Sequence, residues 1–420
     1  MEIDKGKTKK ILHTADWHMD DNNHDEVKRI LDVIVEKALL IKPDLIIVAG
    51  DLTNSQNTKL DSRSARSLVD IMNQLSCIAP VIIVIGTPSH DGLCTEILNR
   101  IPYSGKIGRL VHVSARPEFL HIVGGEILTP EQVADMDNSA TDFLVSTLPT
   151  PTKQFFPEEN LSITTTDKQI AKAINGIFGG FAAMATDYPN APHIHVGHYH
   201  VAGAYVSDTQ VLIGVDIEIH PDQFLLLNAD VVALGHIHKA QEMKNNVFYP
   251  GSTTHNTFGE LDPKGFYLHS FRGEKMLPAF KKESEFIDLP ARDLYIIRKN
   301  FLEREVDEDE IRNDLKGIDL VDSWLKIEIK IWHDEVRQIN QAALKNYFIE
   351  LGCDKVVVDL IPKPRVAVRS EKILDAETLP EKIIEMGIIK NEEIPASLLE
   401  KASLLESMNP EELIASIGGN

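Results

Sequence analysis

Cysteine is scarce: Cys77, Cys94 and Cys353 are the only three in 420 residues. Odd in number and widely spaced, they support neither a disulfide framework nor a cysteine zinc site, and they suit a reducing compartment. Long hydrophobic runs are also missing. No window approaches the run of about 18 apolar residues that reads as a membrane span. The leading stretch MEIDKGKTKK lacks the apolar segment of a secretory signal, so a cytoplasmic location is expected. Basic charge is in deficit, with 43 Lys+Arg against 64 Asp+Glu and a formal net charge of -21. That balance argues against diffuse wrapping of nucleic acid. It leaves open a metal-bridged phosphate substrate, because bound divalent ions invert the local field. The remainder, 43% hydrophobic and 25% charged, is an ordinary globular composition with length for two or three domains.

What the chain does have is a set of apolar strands that end in acids and histidines. Ile11 and Leu12 emerge at Asp16-Trp17-His18, and the unbroken run Leu45 to Ala49 emerges at Gly50-Asp51. Val81 to Ile85 ends in Gly86-Thr87-Pro88-Ser89-His90-Asp91, and Val231 to Leu234 ends in Gly235-His236-Ile237-His238. Pro192 to Gly197 delivers His198 and then His200. Continuous apolar runs are expected of parallel strands covered on both faces. Ligands gather at the carboxyl ends of such strands. Asp16, His18, Asp51, His198, His236 and His238 therefore form a candidate metal set. The D-x-H and H-x-H spacings put both members of each pair on one side of an extended segment. Carboxylate and imidazole without cysteine suit Mn, Fe or Zn better than Mg or Ca. The bland reading of a histidine is a satisfied core or surface residue. It is kept for His13, His24, His112, His121, His193, His195, His220, His269 and His333; His195 and His200, close to His198, either support the set from outside or are plain strand residues, and His255 is more ambiguous.

Between the first strands, Val27 to Leu40 and Ser64 to Leu75 carry apolar residues at helical spacing, and Leu93 to Ile101 is a short third helix. Thr129 to Ala140 and Thr166 to Met184 also read as helices, and Val211 to Val215 as a strand. Gly265 to Phe271 alternates like an outer strand before a turn at Gly273-Glu274. Beyond residue 275, strands at Asp293 to Ile297, Trp324 to Ile331 and Lys355 to Leu360 alternate with helices at Glu303 to Leu315 and Asp334 to Glu350. This predicts an α/β domain at residues 275–370 after a first domain at 1–274. Residues 371–420 form a helical tail (Leu379 to Met386, Pro395 to Ser407, Pro410 to Ile417) with 11 Asp/Glu against 4 Lys/Arg.

The order D-x-H, G-D, a glycine-to-histidine-aspartate motif, a lone histidine and G-H-x-H resembles the calcineurin-like metallophosphoesterases. Within them the chain looks like the SbcD-type nucleases. Ile46 to Thr53 (IIVAGDLT), Phe248-Tyr249-Pro250-Gly251-Ser252, Phe258-Gly259-Glu260 and Lys264-Gly265-Phe266 carry the closer likeness. The resemblance implies a two-sheet α/β sandwich flanked by helices, a smaller α/β capping domain and a helical tail. It implies two Mn2+ ions: Asp16, His18, Asp51 and His238 on one, and Asp51 bridging to a second held by His198 and His236. His90 corresponds to the histidine that assists the leaving 3′ oxygen. Relatives have one asparagine before that histidine. Here Thr87-Pro88-Ser89 intervene, with Ser89 the better positional match to the ligand and Thr87 the other candidate.

The activity implied is 3′-to-5′ exonuclease action on duplex DNA and endonuclease cutting of single strands or hairpins. The partners implied are DNA, a second copy through the Ser64 to Leu75 and Leu93 to Ile101 helices, and an SbcC-like SMC-family ATPase docked on residues 371–420. Lys363, Arg365 and Arg369 are the candidate DNA-backbone contacts. A small-molecule or nucleotide phosphodiesterase would use the same ions, and a recruitment subunit with a degenerate second site is the non-enzymatic alternative.

Overall fold

The computed structural model describes residues 8–101, 105–151, 163–207, 210, 217–272, 281–365, 373, 376–390 and 392–407. The expected strand at Val211 to Val215, the segment Pro410 to Ile417 and Arg369 lie outside them. The chain forms two compact units, Met1–Leu294 and Tyr295–Asn420.

The first unit opens with Lys9–Thr14 (β1), His24–Ile41 (α1), Leu45–Val48 (β2), Arg63–Ser76 (α2), Val81–Val84 (β3), Leu93–Glu96 (α3) and Val111–Ser114 (β4). Glu118–Val123 (β5), Glu126–Leu128 (β6), Pro130–Val133 (α4), Thr141–Leu148 (β7), Ile163–Ala185 (α5) and His193–His198 (β8) follow. Val231–Gly235 (β9), Gln241–Met243 (β10), Val247–Tyr249 (β11), Gly265–Arg272 (β12) and Lys281–Asp288 (β13) complete it. One sheet has the order β13-β12-β1-β2-β3-β4 and the other β10-β11-β9-β8-β7-β5-β6. The strand Lys281–Asp288, beyond the 274/275 junction read from the sequence, pairs along its whole length with β12 and is the edge of the first sheet.

The unbroken apolar runs have a simple cause. Ile11, Leu45, Ile47, Ile82 and Val84 face the second sheet, where they meet Leu120, Phe143, Val145, Ile194, Val196 and Phe248. Their alternates Leu12, Ile46, Val48, Val81 and Ile83 face α1 and α2. Ile170, Ile174, Phe178 and Phe181 of α5 cover the outer face of the second sheet. The result is a helix–sheet–sheet–helix sandwich in which both sheets are covered on both faces. Helix α2 starts at Ser62, whose side chain accepts from the Ala65 N–H. Its residues Leu68, Ile71, Met72 and Leu75 are wholly buried against the chain's own sheet, and Leu98 likewise. The apolar stripe of α2 that the resemblance offered to a second copy is thus consumed by this core, whereas Leu93, in the other helix offered, is 59% exposed. What α2 leaves exposed is Arg63, Arg66, Asp70, Asn73 and Gln74.

Expected helices shorten where polar caps interrupt them. Thr129 to Ala140 keeps only the turn of α4, because the Asp137 side chain accepts from Ser139 N and starts a separate 3-10 turn. In the second unit, Leu294–Asn300 (β14), Glu308–Asn313 (α6), Trp324–Trp332 (β15), Gln341–Glu350 (α7) and Lys355–Lys363 (β16) form a three-stranded sheet with helices on one face. Leu379–Lys390 (α8) and Ala396–Ser407 (α9) follow. Among the described residues no helix is long and apolar enough to cross a membrane.

The first unit's core also holds neutral histidines. Burial lowers His13 to about 3 and His121 to about 4. Burial, then repulsion from a neighbouring histidine, keeps His195 and His269 well below their usual range. Each lies below its unfolded value of about 6.5, so the unfolded chain binds more protons in acid. Stability is then complete above that value and lost as pH falls below it. The melting temperature should drop steadily from pH 7 to 5 in metal-free protein, with proton uptake on unfolding. A flat profile over that range would contradict these assignments.

Candidate metal centre

The carboxyl ends of β1, β2, β3, β8 and β9 meet at one edge of the sandwich. The turns that leave β1 and β2 run side by side: Asp16 N donates to Gly50 O, His18 N to Asp51 O and Met19 N to Leu52 O, each at 3.0 Å. Four of the candidate ligands have left-handed backbones, with φ of 51° at Asp16, 47° at His18, 52° at Asp51 and 93° at His236. For non-glycine residues this costs roughly 1–2 kcal/mol each. The strain turns each side chain off its strand direction and into the common edge. Gly50, with φ of 86°, has no room for a side chain, because a Cβ there would collide with the His198 ring and with Gly86.

Three overlapping donor clusters result: Asp16, His18 and His238; Asp16, Asp51 and His198; and His18, Asp51 and His90, each with ligand atoms within 4.8 Å of one another. His18 Nε2 and His238 Nε2 face each other at 3.0 Å. His198 Nε2 lies 3.2 Å from Asp51 Oδ2, while its Nδ1 is 2.7 Å from Ala49 O. His236 packs its ring edge against His198, with centroids 5.2 Å apart, and its backbone N–H donates to both Asp16 oxygens. Convergent imidazole nitrogens and carboxylate oxygens of this kind fit divalent transition ions. The structure therefore contains two candidate divalent-metal sites built from overlapping donors.

The electrostatics agree. Burial alone would raise the Asp51 carboxyl, but the charge and hydrogen bond of His198, then His18, outweigh it and hold Asp51 well below the usual carboxylate range. His198 is lowered by burial and raised more strongly by Asp51 and Asp16, to about 9. Burial pushes Asp16 up and His18 well down.

The loop after β3 is where the sequence reading and the structure part company. Ser89 is exposed in a turn, and its carbonyl accepts from Gln56 N. It is the Thr87 hydroxyl that enters the site, 3.1 Å from Asp51 Oδ2 and 3.2 Å from His198 Nε2. The two extra residues bulge outward, and the turn then returns His90 to the edge of His18, with ring centroids 4.8 Å apart. His90 Nδ1 is 3.1 Å from Asn54 O. His195 and His200 stay outside the cluster, the first within the core against Ser146 and Tyr199, the second 3.4 Å from Glu218. Of the proposed DNA contacts, Lys363 is exposed, whereas Arg365 is ion-paired with Asp334 and Glu335 and lies over the Trp332 ring.

Asp91 is a structural residue of the site that no sequence motif assigns a role. Its buried carboxylate accepts from Asp51 N (2.9 Å), Leu52 N (3.0 Å), Thr53 N (3.4 Å), Gly86 N (2.8 Å) and Thr95 Oγ1 (2.7 Å). Burial and the Asp51 charge push it up to about 6 against the pull of these donors. Its position directly after His90 was the only sequence signal. Gln210 acts similarly on the β9 loop, donating to His236 O and accepting from His238 N.

Residues 9–240, more than half of the chain, match the calcineurin-like phosphoesterase family. The SbcD component of the nuclease SbcCD from Staphylococcus saprophyticus subsp. saprophyticus is 26% identical over 301 residues, covering 70% of this chain and 72% of that protein.

Replacing Asp91 by alanine leaves several buried N–H groups without an acceptor, at about 1–3 kcal/mol each where no water enters. Asp91→Ala should therefore lower the unfolding free energy in urea by about 3 kcal/mol or more. A loss smaller than about 1 kcal/mol would mean that the loops hold themselves.

Proposed function

The chain belongs to the calcineurin-like phosphoesterase family as a distant relative of SbcD-type nucleases, and from that premise we propose that it is a two-metal DNA nuclease. The observation that carries the reading is Asp51, whose carboxylate lies between the His18 and His198 nitrogens at 3.9 and 3.2 Å. Asp16, His18 and His238 would hold one ion, and His198, His236 and the Thr87 hydroxyl the other, with Asp51 common to both. Manganese fits this mixed oxygen and nitrogen set. Two such ions supply charge stabilisation on phosphate oxygens and an activated water.

The chain's own residues do the rest. His90, beside His18 and within reach of the His18–Asp51 donor cluster, would act on the substrate in this reading. Its Nδ1–H donates to Asn54 O, and with Nε2 protonated as well, as an imidazolium, it would pass the Nε2 proton to a leaving 3′ oxygen and return to the neutral ring. Support for a DNA substrate comes from the likeness to a nuclease component, which extends over 70% of the chain.

Asp51→Ala should abolish divalent-dependent hydrolysis without unfolding the protein, whereas His90→Ala should keep its metal and lose about 100-fold or more in turnover. Elemental analysis beside rates on duplex DNA and on an aryl phosphodiester checks both points. Loss of metal in the His90 variant would overturn the division of roles. Hydrolysis of the aryl ester alone would favour a small-molecule phosphodiesterase, and no hydrolysis of either a recruitment subunit.

We also propose that the tail docks on an SbcC-like SMC-family ATPase. Helices α8 and α9 contact each other through Leu379 N and Glu406, yet Ile388 is 67% and Leu404 56% exposed. These apolar side chains would anchor on a coiled coil while the acidic residues steer toward basic partners. Truncation after Arg369 should leave a folded nuclease that no longer binds or responds to the ATPase. Precipitation, or a collapsed melting transition, would instead assign these helices to the fold.

A further inference from the structure

The segments Pro250-Gly251-Ser252, Phe258-Gly259-Glu260 and Lys264-Gly265-Phe266 supply no member of the donor clusters, yet they converge on one member, His238. Glu260 and Lys264 are only 1% and 2% exposed, and Ser252 is wholly buried. Glu260 Oε1 lies 3.0 Å from His238 Nδ1. The other carboxylate oxygen accepts from Lys264 Nζ at 2.7 Å and from Ser252 Oγ at 3.1 Å, while Lys264 Nζ also donates to Ser252 Oγ at 2.7 Å. The backbone of His238 is gripped by the same group: its carbonyl accepts from Ser252 N at 3.2 Å and from Lys264 Nζ at 3.4 Å.

Burying a glutamate and a lysine this completely is costly, and an apolar pair of similar size would commonly fold as well or better. Fold stability therefore does not account for them. A carboxylate paired with an ammonium group can only accept a hydrogen bond, so the His238 nitrogen facing it must carry the proton. Asn256 Nδ2 stands 3.4 Å from the same nitrogen, too far to compete with the charged acceptor. With Nδ1 protonated, the lone pair of a neutral imidazole is on Nε2, and Nε2 is the atom that faces His18.

We infer that Glu260 is a positioning residue for the metal site, holding His238 in the Nδ1–H tautomer with its Nε2 lone pair aimed into the ligand cluster, and that Lys264 and Ser252 fix Glu260 in turn. The inference rests on the metal-site reading given above. It assigns to Glu260 the outer-shell partner whose removal typically costs 10- to 100-fold in metal affinity.

The test compares two double variants of the full chain by calorimetric titration with Mn2+. Both carry Lys264→Met, so neither leaves a buried ammonium unpaired. One adds Glu260→Gln, which keeps an acceptor for His238, and the other Glu260→Leu, which does not. The leucine variant should bind Mn2+ about 10- to 100-fold more weakly than the glutamine variant, at matched metal-free melting temperatures. Equal loss in both, or no loss in either, overturns the inference.

A measurement on the unmutated protein stands beside it in case the leucine variant does not fold. In metal-free protein with 15N-labelled histidine, the His238 ring, assigned by its loss in His238→Gln, should show the Nδ1–H tautomer. An Nε2–H tautomer overturns the inference by itself. Wild-type protein that binds no Mn2+ sinks the metal-site reading instead, whatever the tautomer.

Discussion

The Asp91 carboxylate joins the loop after β2 to the loop after β3, and the metal centre depends on that junction. Asp51 N, Leu52 N and Thr53 N approach it from one side, and Gly86 N and Thr95 Oγ1 from the other. Backbone N–H groups at the ends of buried strands need acceptors, because water does not reach them. A side chain that supplies acceptors to two loops at once also sets the distance between them. That distance places the Thr87 hydroxyl on Asp51 and Asp51 against His198.

A second constraint is conformational. Parallel strands deliver their last residues along the strand axis, and side chains there would alternate above and below the sheet. Left-handed backbones at Asp16, His18, Asp51 and His236 break that alternation and turn the donors toward one another. The cost is carried by contacts that leave little alternative. Asp16 N and His18 N bond to the neighbouring turn, and Asp16 itself accepts from His236 N. Rigid strands, strained termini and buried acceptors together keep like-charged carboxylates close, a geometry that otherwise opposes folding and that a divalent cation relieves.

The ligands also differ in how they are held. His198 is fixed by a backbone carbonyl, Ala49 O, and His238 by a buried carboxylate, Glu260. In both, Nδ1 faces the supporting oxygen and leaves Nε2 for the cluster. A carbonyl and a carboxylate differ in the electron density they lend an imidazole.

Local pattern alone determined the alternation of strand and helix in the first unit, the runs at Leu45 to Ala49 and Val81 to Ile85, and six ligand candidates. Burial on both faces and the placement of ligands at strand ends are properties that a single segment displays. The hydroxyl in the loop after β3 was decided only in three dimensions. Ser89 and Thr87 are equivalent as text, and the outward bulge of Pro88 and Ser89 follows from the hydrogen bonds that Asp91 and Gln56 make across the loops. Likewise, the apolar stripe of α2 was compatible with a second copy until packing placed Leu68, Ile71, Met72 and Leu75 against the sheet. The roles of Asp91, Gln210 and Glu260 were illegible for the same reason. Each acts on a residue 22 to 40 positions away, and a hydrogen bond across such a separation has no local pattern to announce it.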